Sequence, residues 1–315
     1  MSVILVRDPQ ISSTLSLHKK VPSVIHIETV VSGVGDVFSS ADGKSCEPVF
    51  MERATWKKII DSSRGLGVTY RPYLFSEPLL DKRMPEIIRY IKKDPTAKVE
   101  LRTNASLLTP LLSEELIALH VDAFCFQFSE DCLGGFKRQS DVSCTQAGIH
   151  VGYFLGRLRE SGKNIAVQIE LQSNKVRQDQ FVAIKKFCEQ YGSQIQVRFA
   201  SEGYFPWRQD GAVAVSKPCQ RMAEQITFFV DGTASLCSLD VEGRQLVGDI
   251  HERGVVDIWN GEEINRCRQL LATGQRRELA LCRGCALDGD VDIQFKDSYT
   301  RGKVIPLITR IPSKV

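Results

Sequence analysis

Ala123-Phe124-Cys125-Phe126-Gln127-Phe128-Ser129 alternates large apolar side chains with small or polar ones, the two-residue period of a strand with one apolar and one wet face. The same period recurs at 24–29, 68–75, 98–103, 165–172 and 194–200, which makes six expected strands. Between them, Met84, Ile87, Ile88 and Ile91, and again Phe181, Ile184, Cys188 and Tyr191, repeat at helical spacing. Strand and helix in alternation predict a parallel sheet with right-handed crossovers.

The two strand faces decide what kind of parallel sheet. Ile25 and Ile27, Val99 and Leu101, the three phenylalanines above, Ile165, Val167 and Ile169, and Ile195, Val197 and Phe199 form an apolar face for helices to cover. The other face carries His26, Glu28, Arg71, Tyr73, Glu100, Arg102, Gln127, Ser129, Gln168, Glu170, Gln196 and Arg198. A flat sheet with helices on both sides needs near-continuous apolar strands. The expected class is therefore α/β, a curved and incomplete (β/α)6 barrel with helices outside and a polar lumen. Three glutamates against three arginines there nearly neutralise one another.

After residue 201 the pattern changes. Residues 203–218 read as an irregular linker, and 226–237 as a β-hairpin closed by a two-residue turn at Asp231-Gly232. Short helices are expected at 256–260 and 263–272. The expected organisation is an N-terminal extension at 1–22, the barrel at 23–205, a small α+β cluster-binding domain at 206–290, and a tail at 291–315.

The charge balance is 41 Lys and Arg against 38 Asp and Glu, with no single-sign block that would recruit nucleic acid or an anionic membrane. The apolar run 3–6 is broken by Arg7 and Asp8, too short for a signal segment or a membrane span. A cytosolic location is the expectation. The 10 cysteines then point to metal binding or buried thiols rather than disulfides.

Cys219, Cys237, Cys282 and Cys285 are the firmest of these, a hairpin pair joined by a terminal Cys282-Arg283-Gly284-Cys285. Four thiolates make a closed soft-ligand cage that selects an iron–sulfur cluster or zinc over any hard cation. Cys125, Cys188 and Cys267 read as small buried residues. Cys46, Cys132 and Cys144 have no spacing that specifies a metal, and neither do the histidines.

Taken together, Ser76-Glu77-Pro78-Leu79-Leu80 after strand two, Thr103-Asn104 after strand three and Ser129 after strand four resemble the radical S-adenosylmethionine (SAM) superfamily. Cys219, Asp231-Gly232, Cys237, Asp240, Gly248-Asp249-Ile250, Ile258-Trp259 and the CxxC resemble the auxiliary-cluster extension called SPASM, in its shortened twitch form. The resemblance implies a [4Fe-4S] cluster on the four cysteines, with Arg221, Asp240 and Trp259 around it. It also implies a SAM and ligand pocket at the strand ends, with Ser76-Glu77 in place of the family's GGE-type motif and Asn104, Ser129, Gln168, Glu170 and Arg198 lining it. Glu77 equally suits a plain helix cap.

One departure bears on activity. The family's catalytic cluster hangs on a CxxxCxxC after strand one, where three cysteines leave one iron free for SAM. Here the loop reads Val30-Val31-Ser32-Gly33-Val34-Gly35-Asp36-Val37-Phe38-Ser39-Ser40, and serine hydroxyls and one carboxylate do not replace three thiolates. The expectation is an iron–sulfur protein that has lost SAM-cleaving chemistry and binds a small molecule, a peptide or a catalytically active partner enzyme. An enzyme using the polar cavity, with SAM retained or not, and an active radical enzyme with an unrecognised cluster site are the alternatives.

Overall fold

The computed structural model describes residues 20–32, 47–129, 142–172, 184, 186–191, 195–200, 219, 221–240, 242–283 and 285. Its strands are β1 (Val24–Ile27), β2 (Val30–Val31), β3 (Val49–Phe50), β4 (Thr69–Arg71), β5 (Lys98–Thr103), β6 (Ala123–Ser129), β7 (Ala166–Gln172), β8 (Ile195–Ala200), β9 (Gln225–Phe228), β10 (Thr233–Ser235) and β11 (Leu246–Asp249). The helices are α1 (Arg53–Asp61), α2 (Met84–Ile91), α3 (Pro110–Ala118), α4 (Val142–Ser161), α5 (Arg221–Glu224), α6 (Val255–Trp259) and α7 (Glu262–Ala272). Nine strands form one sheet in the order β11-β10-β9-β1-β4-β5-β6-β7-β8. The run from β1 through β4 to β8 is parallel throughout, as strand-helix alternation requires.

The face expected to meet the helices does so. Phe124 sits between Leu101 and Val167 in register, and its ring lies 4.6 Å from Phe154 of α4, with Phe126 at 5.3 Å from the same ring. Trp56, Ile59 and Ile60 of α1, and Met84, Ile87, Ile88 and Ile91 of α2, join Ile25, Ile27, Val99 and Leu101 in one buried core. Each such side chain taken wholly out of water contributes about 1.5–3 kcal/mol. Ile184 and Cys188, on the helical segment before β8, are buried as their spacing implied. Helix α3 begins where Thr109 accepts a hydrogen bond from the Leu112 N–H and Pro110 fills the first turn, a cap that satisfies a donor the helix leaves over.

The C-terminal hairpin brings one join the sequence did not announce and one correction. β9 runs parallel to β1, from Val24 opposite Gln225 to Ile27 opposite Phe228, so it extends the same sheet. The hairpin's turn is longer than two residues. Gly232 N–H donates to Phe229 O and Phe229 N–H to Thr233 O, which leaves a three-residue loop, Val230 to Gly232. The reason is Gly232 at φ 92°, the left-handed position that ends such loops. A Cβ there would come within 2.6 Å of His251 Nε2, because His251 folds over the turn and bonds Asp231 O at 3.1 Å.

The strand expected at 68–75 is paired only over Thr69–Arg71, since Tyr73 N–H turns back to Arg71 O. The region expected at 203–218, the Cys132 loop and the tail at 291–315 lie outside the described residues. Among the described residues, no helix is long and apolar enough to cross a membrane.

Candidate functional site

The four cage cysteines come from three pieces of the C-terminal region. Cys219 lies just before α5, Cys237 just after β10, and Cys282 and Cys285 after a 3-10 turn at Arg276–Glu278. Each piece is fixed by its own hydrogen bonds. Asp240, almost fully buried, accepts from Ser235 Oγ at 2.7 Å, Arg244 N at 2.8 Å and Gln245 N at 2.9 Å, which folds the loop carrying Cys237. Asp240 therefore shapes that loop, while Trp259, fully buried, packs in the core with the Arg268 guanidinium 4.0 Å over its ring. The CxxC loop is wound by Cys282 N–H to Leu279 O and Cys285 N–H to Cys282 O, and Arg276 donates to Cys285 O at 3.1 Å. Gly248 completes the support: a Cβ there would lie 2.8 Å from Ile258 Cγ2, so α6 packs directly on the β11 backbone.

Half-buried, the four thiols share one locality. Burial pushes the Cys237 thiol up to about 12, and the nearby Cys219 and Cys285 push the same way while Arg221 opposes them. Cys282 is likewise raised by burial first, then by Cys237, Cys219 and Cys285. Leu239 N–H points to Cys237 Sγ at 3.4 Å. Four thiolates so placed repel one another unless a cation or cationic cluster sits among them, so metal binding and proton release go together here. The donor set, all sulfur, fits an iron–sulfur centre or zinc. The thiols are neighbours rather than converged on a point, and among the described residues no three His, Cys, Asp or Glu side chains are disposed to hold a single metal ion.

At the C-terminal ends of the barrel strands, three loops meet on the Ser76-Glu77 corner. Ser76 Oγ accepts from Ser32 N at 3.0 Å. The Glu77 carboxylate accepts from Thr103 Oγ1 at 2.6 Å, Asn104 N at 2.8 Å and Leu79 N at 3.1 Å. Glu77 thus caps the 3-10 turn at Pro78–Leu80 and ties β5 to it, so the cap reading of this residue is the one its side chain follows. The Asn104 side chain turns onto Ser106 N at 2.9 Å. The loop that follows Ser32, with Asp36, Ser39 and Cys46, lies outside the described residues.

The polar strand face forms registered rows. Thr227, His26 and Arg71 lie side by side on β9, β1 and β4, Arg102, Cys125, Gln168 and Gln196 on β5 to β8, and Gln127, Glu170 and Arg198 on β6 to β8. Ser129 is placed opposite Gln172; the side chains of Ser129 and Arg198 fall outside the described set. Arg71 Nε donates to Glu100 at 2.7 Å, Arg102 stands 3.8 Å from Glu170, and Gln127 donates to the other Glu170 oxygen at 2.6 Å. Glu28 accepts from Val230 N at 3.2 Å, which ties the barrel to the hairpin. His26, 5% exposed, bonds Gln225 through Nε2 at 3.3 Å. Burial, then Arg71, with smaller pushes from Arg221 and Arg102, hold its pKa well below the ordinary value against that one bond. Cys125 is half-buried on this polar face rather than fully buried. The alternation that sends Phe124 and Phe126 outward sends Cys125 inward, a signal already present in the strand.

Residues 219–286 match the SPASM family model, described as an iron–sulfur cluster-binding domain. No curated protein matches the chain in sequence at a significant level. Among solved structures, BtrN in complex with AdoMet and 2-DOIA superposes with a TM-score of 0.57 at 15% identity, over 85% of this chain and 96% of that one. Streptococcus suis SuiB bound to precursor peptide SuiA gives 0.58 at 12% identity, over 90% and 79%. Native anSMEcpe with bound AdoMet and Kp18Cys peptide gives 0.58 at 11%, over 83% and 88%. Residues 219–286 are thus similar to the SPASM iron–sulfur cluster-binding domain, and the chain shares its fold with BtrN, SuiB and anSMEcpe.

Proposed function

We propose that the protein keeps one auxiliary [4Fe-4S] cluster, held by Cys219, Cys237, Cys282 and Cys285, and does not cleave SAM. The observation that carries this reading is the contrast between four gathered thiols at one end and the cysteine-free loop at 30–40 at the other. A cluster closed by four protein thiolates offers no iron to a substrate, so its part is structural or electron relay. Zinc is the competing occupant, since four-cysteine CxxC sites also take it; the SPASM match supports the cubane.

The lumen is then a binding site. Among the described side chains Arg71 pairs with Glu100 and Arg102 with Glu170, which suits recognition of a polar ligand through Gln127, Gln168, Arg198 and the strand-end residues Asn104 and Ser129 more than recruitment of a highly charged one. SuiB and anSMEcpe are solved with peptides and BtrN with a small molecule, so a peptide or small metabolite in a modification pathway is the ligand class this fold favours. The partner role follows: an inactive relative presents the ligand, or itself, to an active enzyme.

Calorimetric titration with SAM, followed by an assay for 5'-deoxyadenosine under reducing conditions, tests it. The proposal expects no deoxyadenosine release. Release at a rate that scales with protein overturns it.

A further inference from the structure

Thr227 of β9 and His26 of β1 are neighbours in register on the polar face, next to Arg71 of β4. The residues that alternate with them, Ile226 beside Ile25 and Phe228 beside Ile27, enter the apolar core instead. Thr227 is fully buried and His26 is 5% exposed, yet Thr227 Oγ1 and His26 Nδ1 have no hydrogen-bond partner. Buried polar atoms left unpaired are costly and rare. Two of them on adjacent residues of one lumen wall mark a place for a guest group.

The chemistry of the pair says what that group must carry. His26 Nε2 lies 3.3 Å from Gln225 Oε1; an amide oxygen only accepts, so Nε2 holds the ring proton. Burial, then Arg71, with Arg221 and Arg102 behind it, keep the ring uncharged near neutral pH. Nδ1 is therefore an acceptor, and Thr227 Oγ1 beside it can donate. A carboxylate has no proton to give Nδ1, and an ammonium cannot accept from Thr227. A hydroxyl does both from one atom. Along the wall the next partners are Arg71 and Glu100, bonded to each other at 2.7 Å, and the Glu100 and Arg102 side chains, 36% and 34% exposed, open this wall to the lumen. Neighbouring strands stand about 4.7–4.9 Å apart. Hydrogen-bonding positions at that spacing suit a compact molecule with several hydroxyls better than a peptide, which has at most one per residue.

We propose that His26 and Thr227 form a hydroxyl-recognising subsite for a small polyol, one hydroxyl of which donates to His26 Nδ1 and accepts from Thr227 Oγ1. The remaining hydroxyls meet Arg71, Glu100 and Arg102 along the wall. The Tyr73 ring, packed edge-on against His26 at 6.0 Å, turns aside to admit the guest. Gln225, itself buried, holds the imidazole tautomer from β9 and so acts as a positioning residue. This rests on the reading of the lumen as a ligand site and narrows the class of ligand; it does not depend on whether SAM is cleaved.

The test uses nuclear magnetic resonance of the full-length, cluster-loaded protein with isotope-labelled histidine at neutral pH. The probe is myo-inositol, and the control is dioxane, whose oxygens only accept. Before either is added, the His26 proton should be found on Nε2. Inositol should move the Nδ1 resonance saturably, and dioxane should not. Thr227→Val keeps the branched shape and removes an unpaired buried hydroxyl, so it should raise the melting temperature while weakening inositol binding by about tenfold. Thr227→Ser keeps the hydroxyl and should bind within about threefold of the unaltered protein. A proton on Nδ1, no saturable shift with inositol, a dioxane shift equal to it, or a Thr227→Val protein that melts lower, as it would if that hydroxyl were already bonded to water, would each overturn the proposal. Tighter binding of N-acetylserinamide than of inositol overturns the polyol and leaves the lumen a ligand site. Iron content and deoxyadenosine release are read separately, so failure here leaves the cluster proposal where it stands.

Discussion

The cysteine cage and the barrel lumen both gather reactive side chains out of bulk water, and they settle charge in opposite ways. In the lumen the chain supplies both signs: Arg71 meets Glu100, Arg102 faces Glu170, and Glu77 is closed by Thr103, Asn104 and Leu79. In the cage it supplies sulfur donors from four cysteines, and each of Cys237 and Cys282 is pushed toward its protonated form by burial and by the others. The lumen's charges are met from within the chain, whereas the cage calls for a cation or a cluster. That difference predicts which region depends on metal and which on hydrogen bonds.

The largest effect should come from the cage. Cys282→Ala or anaerobic chelation removes the cluster's anchor and should cost upward of about 5 kcal/mol in the C-terminal region, because metal binding and folding are coupled in such sites. The measurement is a thermal melt alongside the visible absorption of the cluster. A chelated protein that melts unchanged would break the comparison on the cage side.

Next comes the lumen rim. Glu77→Ala strands the buried Thr103 hydroxyl and the Asn104 N–H, and should lower stability by about 3 kcal/mol in urea unfolding with cluster absorption retained. Glu77→Gln, which keeps an acceptor oxygen, should cost about half of that. Loss of iron in either variant would show that rim and cage are not independent.

Gly248→Ala places a methyl 2.8 Å from Ile258 Cγ2 and should cost about 2 kcal/mol by overpacking. Because β11 and α6 hold none of the cage's sulfurs, iron stoichiometry should stay the same while the melting temperature falls.

The most gradual effect, smallest per step of the variable changed, is the pH response of His26. Burial, then Arg71 and more weakly Arg221 and Arg102, hold its folded pKa well below 6.5, whereas the unfolded chain protonates it near that value. Stability from this group is therefore whole above pH 6.5 and falls as the pH drops below it, by about 1.4 kcal/mol per unit until the folded pKa is reached. His26→Gln should flatten that slope, read as denaturant midpoints across pH 4.5–7 or so.

The barrel was legible because its strands carry a strict period of two. The alternation in 98–103, 123–129 and 165–172 assigns both faces, and the observed registers follow it. The cage was legible because CxxC and the Asp231-Gly232 turn are local. The join between β1 and β9 was not: Val24 and Gln225 are far apart in the chain, and neither strand names its neighbour. Cys125 was misplaced for another reason. A small residue among phenylalanines reads as core by composition, while its position in the alternation sets it on the wet face. The role of Glu77 was half legible, since a Glu before Pro suits a cap, but its bonds to Thr103 and Asn104 come from the next β-α unit.

The most direct test of the central claim is electron paramagnetic resonance of the anaerobically purified, reduced protein, with iron and sulfide counts, before and after adding SAM. The account predicts about four irons per chain and one cubane signal that SAM leaves unchanged. About eight irons, with a second cubane signal that shifts when SAM is added, would contradict it.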